Sequence, residues 1–200
     1  MAEPVTKLPT HMTVAEFLAW DRASSQNRVQ LIDGEVRAQM SPATAAHGAI
    51  QAEAARLIGN HLAAAGARTC RVITEAAVQP RARADFNLRV PDLAVTCTAS
   101  GPSDVLVRDP IVIVEILSPG NAAETWANVW AYTTIPSVRE ILIVSSFEIA
   151  ALFLKRGDDG HWPKDPVALG DGDTLDLATI GLSLPLRDIF AQTHLVEESE

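Results

Sequence analysis

The chain alternates short, almost wholly apolar runs with segments whose apolar positions recur every three or four residues. The densest run, I-V-I-V-E-I-L at 111–117, is β-branched and ends in Ser-Pro-Gly. That pattern predicts a strand buried on both faces. R-V-P-D-L-A-V-T-C and S-V-R-E-I-L-I-V-S-S read the same way. Strands are therefore expected at 71–79, 88–97, 111–117 and 139–145, with E-I-A-A-L-F-L-K-R pairing to the last. Ile50, Ala54, Leu57, Ile58 and Leu62 fall at helical spacing and mark the buried stripe of a helix from about Ala43 to Ala65. Ser41-Pro42 opens it and Gly66 closes it.

The punctuation supports these elements. Thr13 followed by Glu16 is a capping box for a short helix, which gives Glu16 a structural task. Asp33-Gly34 between alternating apolar residues predicts a hairpin, because both tolerate the positive φ of a type I′ turn. Its strands run from Arg28 to Ile32 and from Glu35 to Met40. A second helix spans 121–134. Trp126 and Trp130 lie four apart on it and are expected to pack as core rather than as a base-stacking platform. Pieces through Thr174–Leu177 read as short strands, and Pro185 begins a short closing helix. Hairpin, helix, three strands, helix, strand and terminal hairpin make an α/β (α+β) domain with a mixed sheet flanked by helices. Residues 1–200 read as one domain with loose tails at 1–12 and 195–200.

The net charge of −9 argues against a non-specific polyanion binder. It does not exclude a local basic patch, and arginines concentrate at Arg68, Arg71, Arg81, Arg83 and Arg89. That cluster is a solvated loop or a phosphate-contacting edge. Cys70 and Cys97 show no metal-ligand spacing and are expected as small buried thiols in a reducing compartment. No signal peptide or membrane span is read, so a cytoplasmic chain is expected.

One residue breaks the apolar pattern. Glu115 stands inside the 111–117 run, where an ionised carboxylate is costly unless paired or bound to a metal. Asp92 opens a second such run behind Pro91. Glu115 shares a strand face with Ile113 and Leu117. If the two strands are neighbours, both carboxylates converge and suit Mg²⁺ or Mn²⁺. The plainer alternatives are a buried ion pair for Glu115 and a turn acid for Asp92. His47 lies on the long helix's stripe, pointing to the core or to a site at its edge. Glu124 reads as the capping partner of Asn121, and His61, His161 and His194 carry no signal.

The order P-D at a strand start, a glutamate in the next strand, then helix and strand resembles the PD-(D/E)XK nuclease superfamily. The finer resemblance is to the restriction-endonuclease family called Uma-two. It is carried by M-T-V-A-E-F, L-I-D-G-E, M-S-P-A-T-A-A-H, R-V-P-D-L-A-V, V-E-I-L-S-P-G-N, A-Y-T-T-I-P-S-V-R-E-I-L-I-V and G-H-W, across residues 12–162. The resemblance implies a restriction-endonuclease-like core with an N-terminal β-hairpin and a C-terminal β extension. It implies Asp92 and Glu115 as metal carboxylates for Mg²⁺ or Mn²⁺, and matches His47 to a histidine at the start of the long helix. It implies DNA as substrate, for which the Arg81/Arg83/Arg89 region is the candidate contact; a homodimer is compatible with either functional reading and is not written in the sequence. Two positions depart from it. Members carry a lysine four residues before the tyrosine matched by Tyr132, and here that place is Asn128. A glutamate usually precedes L-I-D-G-E, and here the residue is Gln30. The only lysines are Lys7, Lys155 and Lys164, outside these motifs. The implied function is a metal-dependent endonuclease weakened at Asn128 and Gln30; the alternative is a catalytically inactive binding or assembly module on the same fold.

Overall fold

The computed structural model describes residues 11–24, 29–38 and 44–197. Arg28, Met40, Ser41-Pro42 and most of the N-terminal tail lie outside the described residues. Helix α1 (Val14–Ser24) precedes the hairpin β1 (Val29–Ile32) and β2 (Glu35–Ala38). The expected capping box closes α1: the Thr13 amide donates to Glu16 Oε2 at 2.8 Å, and the Glu16 amide donates back to Thr13 Oγ1. Asp33 and Gly34 both have positive φ, 53° and 88°, as a type I′ turn requires. The hairpin holds the chain before it, because the Met12 amide donates to the Gly34 carbonyl. The N-terminal tail is thus fixed by Met12, earlier than its composition suggests.

Helix α2 (Ala45–Ala64) starts at Thr44, whose hydroxyl accepts from the His47 amide, and Gly66 follows it at φ +69°. The chain continues through β3 (Arg71–Thr74), β4 (Leu93–Thr96), β5 (Pro110–Leu117), α3 (Ala122–Tyr132), β6 (Glu140–Ser145), β7 (Ala150–Lys155) and β8 (Val167–Gly170). The hairpin β9 (Thr174–Leu177) and β10 (Leu182–Pro185), a 3-10 turn over Leu186–Phe190 and the short α4 (His194–Glu197) end it. The expected closing helix is therefore a tighter 3-10 turn. Within the stretch expected as a C-terminal tail, Leu195 is buried against the core, and residues 198–200 lie outside the described residues.

Strands β3 to β8 form one six-stranded mixed sheet in sequential order. Only β5 and β6 pair in parallel, and α3 makes the crossover between them. The other neighbours are antiparallel. One sheet face carries Leu93, Val95, Val112, Val114, Ile116, Leu142 and Val144 under α2 and the β9–β10 hairpin. The opposite face carries Ala94, Ile113, Ile141 and Ile143 under Val129 and Tyr132 of α3. A smaller cluster joins Val14 and Phe17 of α1 to Leu31, Val36 and Leu88. The mixed sheet, flanking helices, hairpin and β extension are those the sequence predicts.

The cysteines depart from expectation. Cys70 and Cys97 form a disulfide. Strand β3 pairs β4 with Arg71 opposite Thr96, so Cys70 and Cys97 occupy the next opposed position. The two residues sit 27 apart in sequence, and only the strand register brings them together.

Candidate active site

The two singled-out carboxylates meet through strand register. β4 runs against β5 with Leu93 opposite Val114, Ala94 opposite Ile113 and Val95 opposite Val112. One step further puts Asp92 opposite Glu115. Directly opposed residues of an antiparallel pair project to the same face. That face is the α3 side, where Ile113 and Tyr132 pack. Both carboxylates are buried.

Each is held by donors from a different element. Asp92 Oδ2 accepts from the Ile116 amide at 2.7 Å, and Oδ1 lies 2.9 Å from His47 Nε2. His47 Nδ1 faces the Ser118 hydroxyl. Glu115 Oε1 accepts from the Tyr132 hydroxyl at 2.6 Å. Gln51 of α2 donates to the Asp92 carbonyl and to Glu75, fixing the backbone behind the site. Burial pushes Glu115 well above the usual carboxylate range, and the Asp92 charge beside it adds to this, against the Tyr132 bond. Burial likewise pushes the Tyr132 phenol up, reinforced by the Glu115 charge.

The face of α3 over these groups carries Glu124, Asn128 and Tyr132 at four-residue intervals, one stripe of the helix. Gln30 Nε2 of the hairpin donates to Glu124 Oε1 at 2.6 Å. Glu124 therefore does not cap α3 through Asn121; Asn121 makes no side-chain cap and its Oδ1 accepts from Ser118 instead. The reason is reach, since the hairpin strand brings an amide donor within range of Glu124. Gln30 Oε1 and Asn128 Oδ1 are buried acceptors without a hydrogen-bond partner among the described residues. Arg89 is buried, with Nη1 donating to the Leu31 carbonyl at 3.1 Å and Nε without a partner. Leu31 bridges Leu88, so Arg89 lies one step on, opposite Gln30. Burial lowers the proton affinity of Arg89, while Tyr132, Asp33 and Glu124 nearby oppose that. Arg89 therefore belongs to the interior and not, as its position in the arginine-rich stretch suggests, to an exposed phosphate-contacting edge.

The structure thus gathers Asp92, Glu115 and His47 directly, and places Asn128 and Gln30 on the elements around them. Reading the sequence did not find the Tyr132 bond to Glu115, the Ile116 amide or the Gln51 brace. The available signal for Tyr132 was its place eight residues after Glu124 on the same helical stripe. Trp126 and Trp130 stack at 5.9 Å between ring centroids, but Trp130 is 49% exposed. Trp126 packs against the core as expected, but Trp130 does not: it lies two residues round from the site stripe, on the outer side of α3.

Two ionised oxygens on opposed strand positions could hold a hard divalent cation. The raised proton affinity of Glu115 fits this, because a bound cation removes the like-charge cost that a proton otherwise relieves. Among the described residues no three His, Cys, Asp or Glu side chains are placed to ligate one ion, His47 being spent on Asp92. The chain would supply the two carboxylates and water the remaining positions.

A family model described as "Putative restriction endonuclease", Uma2, matches residues 14–187. The chain belongs to the Uma2 family. The match takes in the hairpin, both carboxylates and the whole central sheet. A solved structure described as a "putative nuclease belonging to DUF820", from Anabaena variabilis ATCC 29413, has the same fold. It superposes at a TM-score of 0.64 with 16% identity, over 82% of this chain and 89% of that one. No curated protein matches the chain. Among the described residues no helix is long and apolar enough to cross a membrane. The Uma2 chain described here therefore pairs a nuclease-like fold with opposed carboxylates and with neutral amides at Gln30 and Asn128.

Proposed function

We propose that this chain is a metal-dependent endonuclease that hydrolyses DNA phosphodiester bonds slowly. The observation that supports it most is the opposed placement of Asp92 and Glu115. Two acids share a buried face, and no Lys or Arg side chain bonds to either among the described residues. A fold that keeps such a pair carries a standing electrostatic cost, which a cation would remove. Mg²⁺ or Mn²⁺, held by Asp92 and Glu115, would supply Lewis acidity and lower the pKa of a bound water.

The chain's own groups prepare that arrangement. The Ile116 amide and His47 fix both oxygens of Asp92, leaving the remaining lone pairs as acceptors. Tyr132 fixes the rotamer of Glu115 by its hydroxyl. The buried Oδ1 of Asn128 is free to accept a hydrogen from water and so to orient it. Unlike the lysine that family resemblance places there, it brings no positive charge to a developing oxyanion. Losing one donor aimed at a developing oxyanion commonly costs about 10²–10³ in rate, hence a slow enzyme.

Nicking of supercoiled plasmid in Mg²⁺ or Mn²⁺ tests this. Cleavage is expected with either ion, abolished by chelator and by Glu115→Gln. Absence of cleavage across supercoiled, linear and single-stranded DNA with both ions overturns it. A second reading, a non-catalytic binding or assembly module, is favoured by one observation. Gln30 spends its amide on Glu124, which gives it a structural use in place of a charged one. Cleavage that depends on Glu115 rules that reading out.

A further inference from the structure

The exposed side of α3 has no assigned part in the chemistry above. Its exposed positions are Ala122, Ala123, Ala127 and Trp130, with one charged residue, Glu124, which is turned toward the hairpin and accepts from Gln30. Trp126 is half-buried against the core that includes Val129 and Tyr132, and its ring stacks with that of Trp130 at an interplanar angle of 29°. An exposed indole backed by a second, anchored indole is held in place before any ligand arrives, so little rotamer freedom is lost on binding.

The stripe continues beyond the helix to Thr134, eight residues after Trp126. Thr134 Oγ1 accepts from the amides of Arg81 and Ala82 at 3.0 and 3.2 Å. The stacked indoles therefore end against the arginine loop. That loop is braced: the Asn87 amide donates to the carbonyls of Ala82 and Arg83, and Gln79 donates to the Ala84 carbonyl. Arg81 is exposed and has no ion-pair partner among the described residues. Arg83 lies over the Phe86 ring at 5.9 Å and pairs with Asp33 of the hairpin at 3.2 Å. The Gly34 amide bonds the Phe86 carbonyl, so the loop joins the indole stripe to the hairpin that carries Gln30. The arginine loop thus spans from the end of α3 to the hairpin turn at Asp33.

We infer that Trp130, backed by Trp126, is a stacking subsite for the bases of single-stranded DNA, with Arg81 holding a phosphate. The inference rests on the proposal that the chain acts on DNA. The pairing of flat apolar surface with exposed guanidinium matches an unpaired strand, which offers base faces and phosphates together. A duplex hides those faces within its own stack. Asp85 shares the loop and Asp33 pairs Arg83, so among the described residues Arg81 is the loop guanidinium left for an anionic strand to complement. A helix is about 10–12 Å across, so bases held on its outer side sit away from the carboxylates. The subsite grips the strand at a distance from the bond to be cut.

Fluorescence anisotropy of a labelled mixed-sequence DNA oligonucleotide, single-stranded and duplex, tests this in chelator, where no cleavage occurs. The single strand is expected to bind more tightly than the duplex and to quench tryptophan emission. Trp130→Ala should weaken it roughly ten-fold, the scale of one stacked base, while Trp130→Phe retains most of the affinity. Arg81→Ala should reduce the dependence of log affinity on log salt by about 0.7, the value for one phosphate of a single strand. Equal affinities for wild type and Trp130→Ala overturn the inference, as does duplex preference or no binding. So does a wild-type dimer that Trp130→Glu dissociates without altering DNA affinity, because the patch then serves a second copy of the chain. Trp130-dependent binding without any nicking leaves the subsite standing and overturns only the catalytic proposal. Nicking with Trp130-independent binding does the reverse.

Discussion

Replacing Glu115 by glutamine should make the metal-free protein more stable. Opposed side chains in an antiparallel pair lie about 5 Å apart at Cβ. At an effective dielectric near 20, two ionised carboxylates at that separation repel by about 3 kcal/mol. The Ile116 amide and His47 offset part of this at Asp92, and the Tyr132 bond offsets part at Glu115. Glutamine keeps an acceptor for Tyr132 and removes the charge, so a net gain of about 1–2 kcal/mol is expected above neutral pH. For a chain of this length that raises Tm by about 2–8 °C. The pH dependence gives the sharper test. Glu115 holds its proton more tightly in the folded than in the unfolded chain, because burial and Asp92 disfavour its charge. Between the ordinary value of 4.5 and its raised folded value, the native state binds the extra proton. Stability therefore falls as pH rises through that window, by about 1.4 kcal/mol for each unit of displacement. The advantage of Glu115→Gln should be small below the window, grow across it and then level off. Urea unfolding of both proteins in chelator, at several pH values from about 4 to 8, measures this. A variant less stable than wild type at pH 8, or a difference that does not change with pH, refutes the reasoning. Metal should act oppositely: at about a hundred-fold excess over Kd it stabilises wild type by about 2.7 kcal/mol, and the variant far less.

Tyr132→Phe leaves Glu115 Oε1 without its donor and should cost about 1–3 kcal/mol in urea unfolding; an unchanged midpoint means the bond holds nothing. Tyr132 is the only tyrosine, so tyrosinate absorbance reports it alone, and the folded protein should show no transition in the usual range near pH 10. Reducing the Cys70–Cys97 disulfide, which closes a 27-residue span, should lower stability by about 3.5 kcal/mol on the loop-entropy model. Identical unfolding curves with and without reductant would show that the bridge constrains nothing. Asn128→Lys combined with Gln30→Glu should raise plasmid nicking by about 10²; a folded double variant with an unchanged rate refutes the role given to the missing charge.

The central sheet was legible because burial on both faces leaves an unbroken apolar signature, and turn residues mark where each run stops. Asp33-Gly34, Thr13 with Glu16, and Gly66 acted through local backbone geometry, which a sequence carries intact. The misreadings share a different cause. Cys70 and Cys97 meet only because Arg71 stands opposite Thr96, and register between distant strands leaves no local trace. Trp126 and Trp130 satisfy the four-residue spacing of a core stripe, yet only Trp126 packs on the core. The Glu124, Asn128 and Tyr132 stripe satisfies it equally, and which one faces the sheet is decided by the partner below. Spacing found both stripes and could not rank them.

The candidate site divides along the same line. Asp92 and Glu115 stand out because a charge in an apolar run is costly, so the sequence itself shows that something must compensate it. What compensates it was hidden, because Tyr132, the Ile116 amide and His47 come from three elements brought together only by folding. Asn128 and Gln30 show why this matters for function. Each is a neutral residue in a surface-tolerant sequence context, yet each places a buried carbonyl oxygen without a partner beside the site. A lysine at 128 and a glutamate at 30 would form a charge pair there, with the lysine free to share its protons. Two amides replace that pair with uncompensated acceptors, which favour water or a cation over a developing oxyanion. Relative to the charged pair that the family resemblance implies, these two positions offer acceptors, at 128 where a donor is expected. On the proposed function, a chain with neutral amides at these two positions would keep the carboxylates for metal, and its rate is the quantity that should suffer.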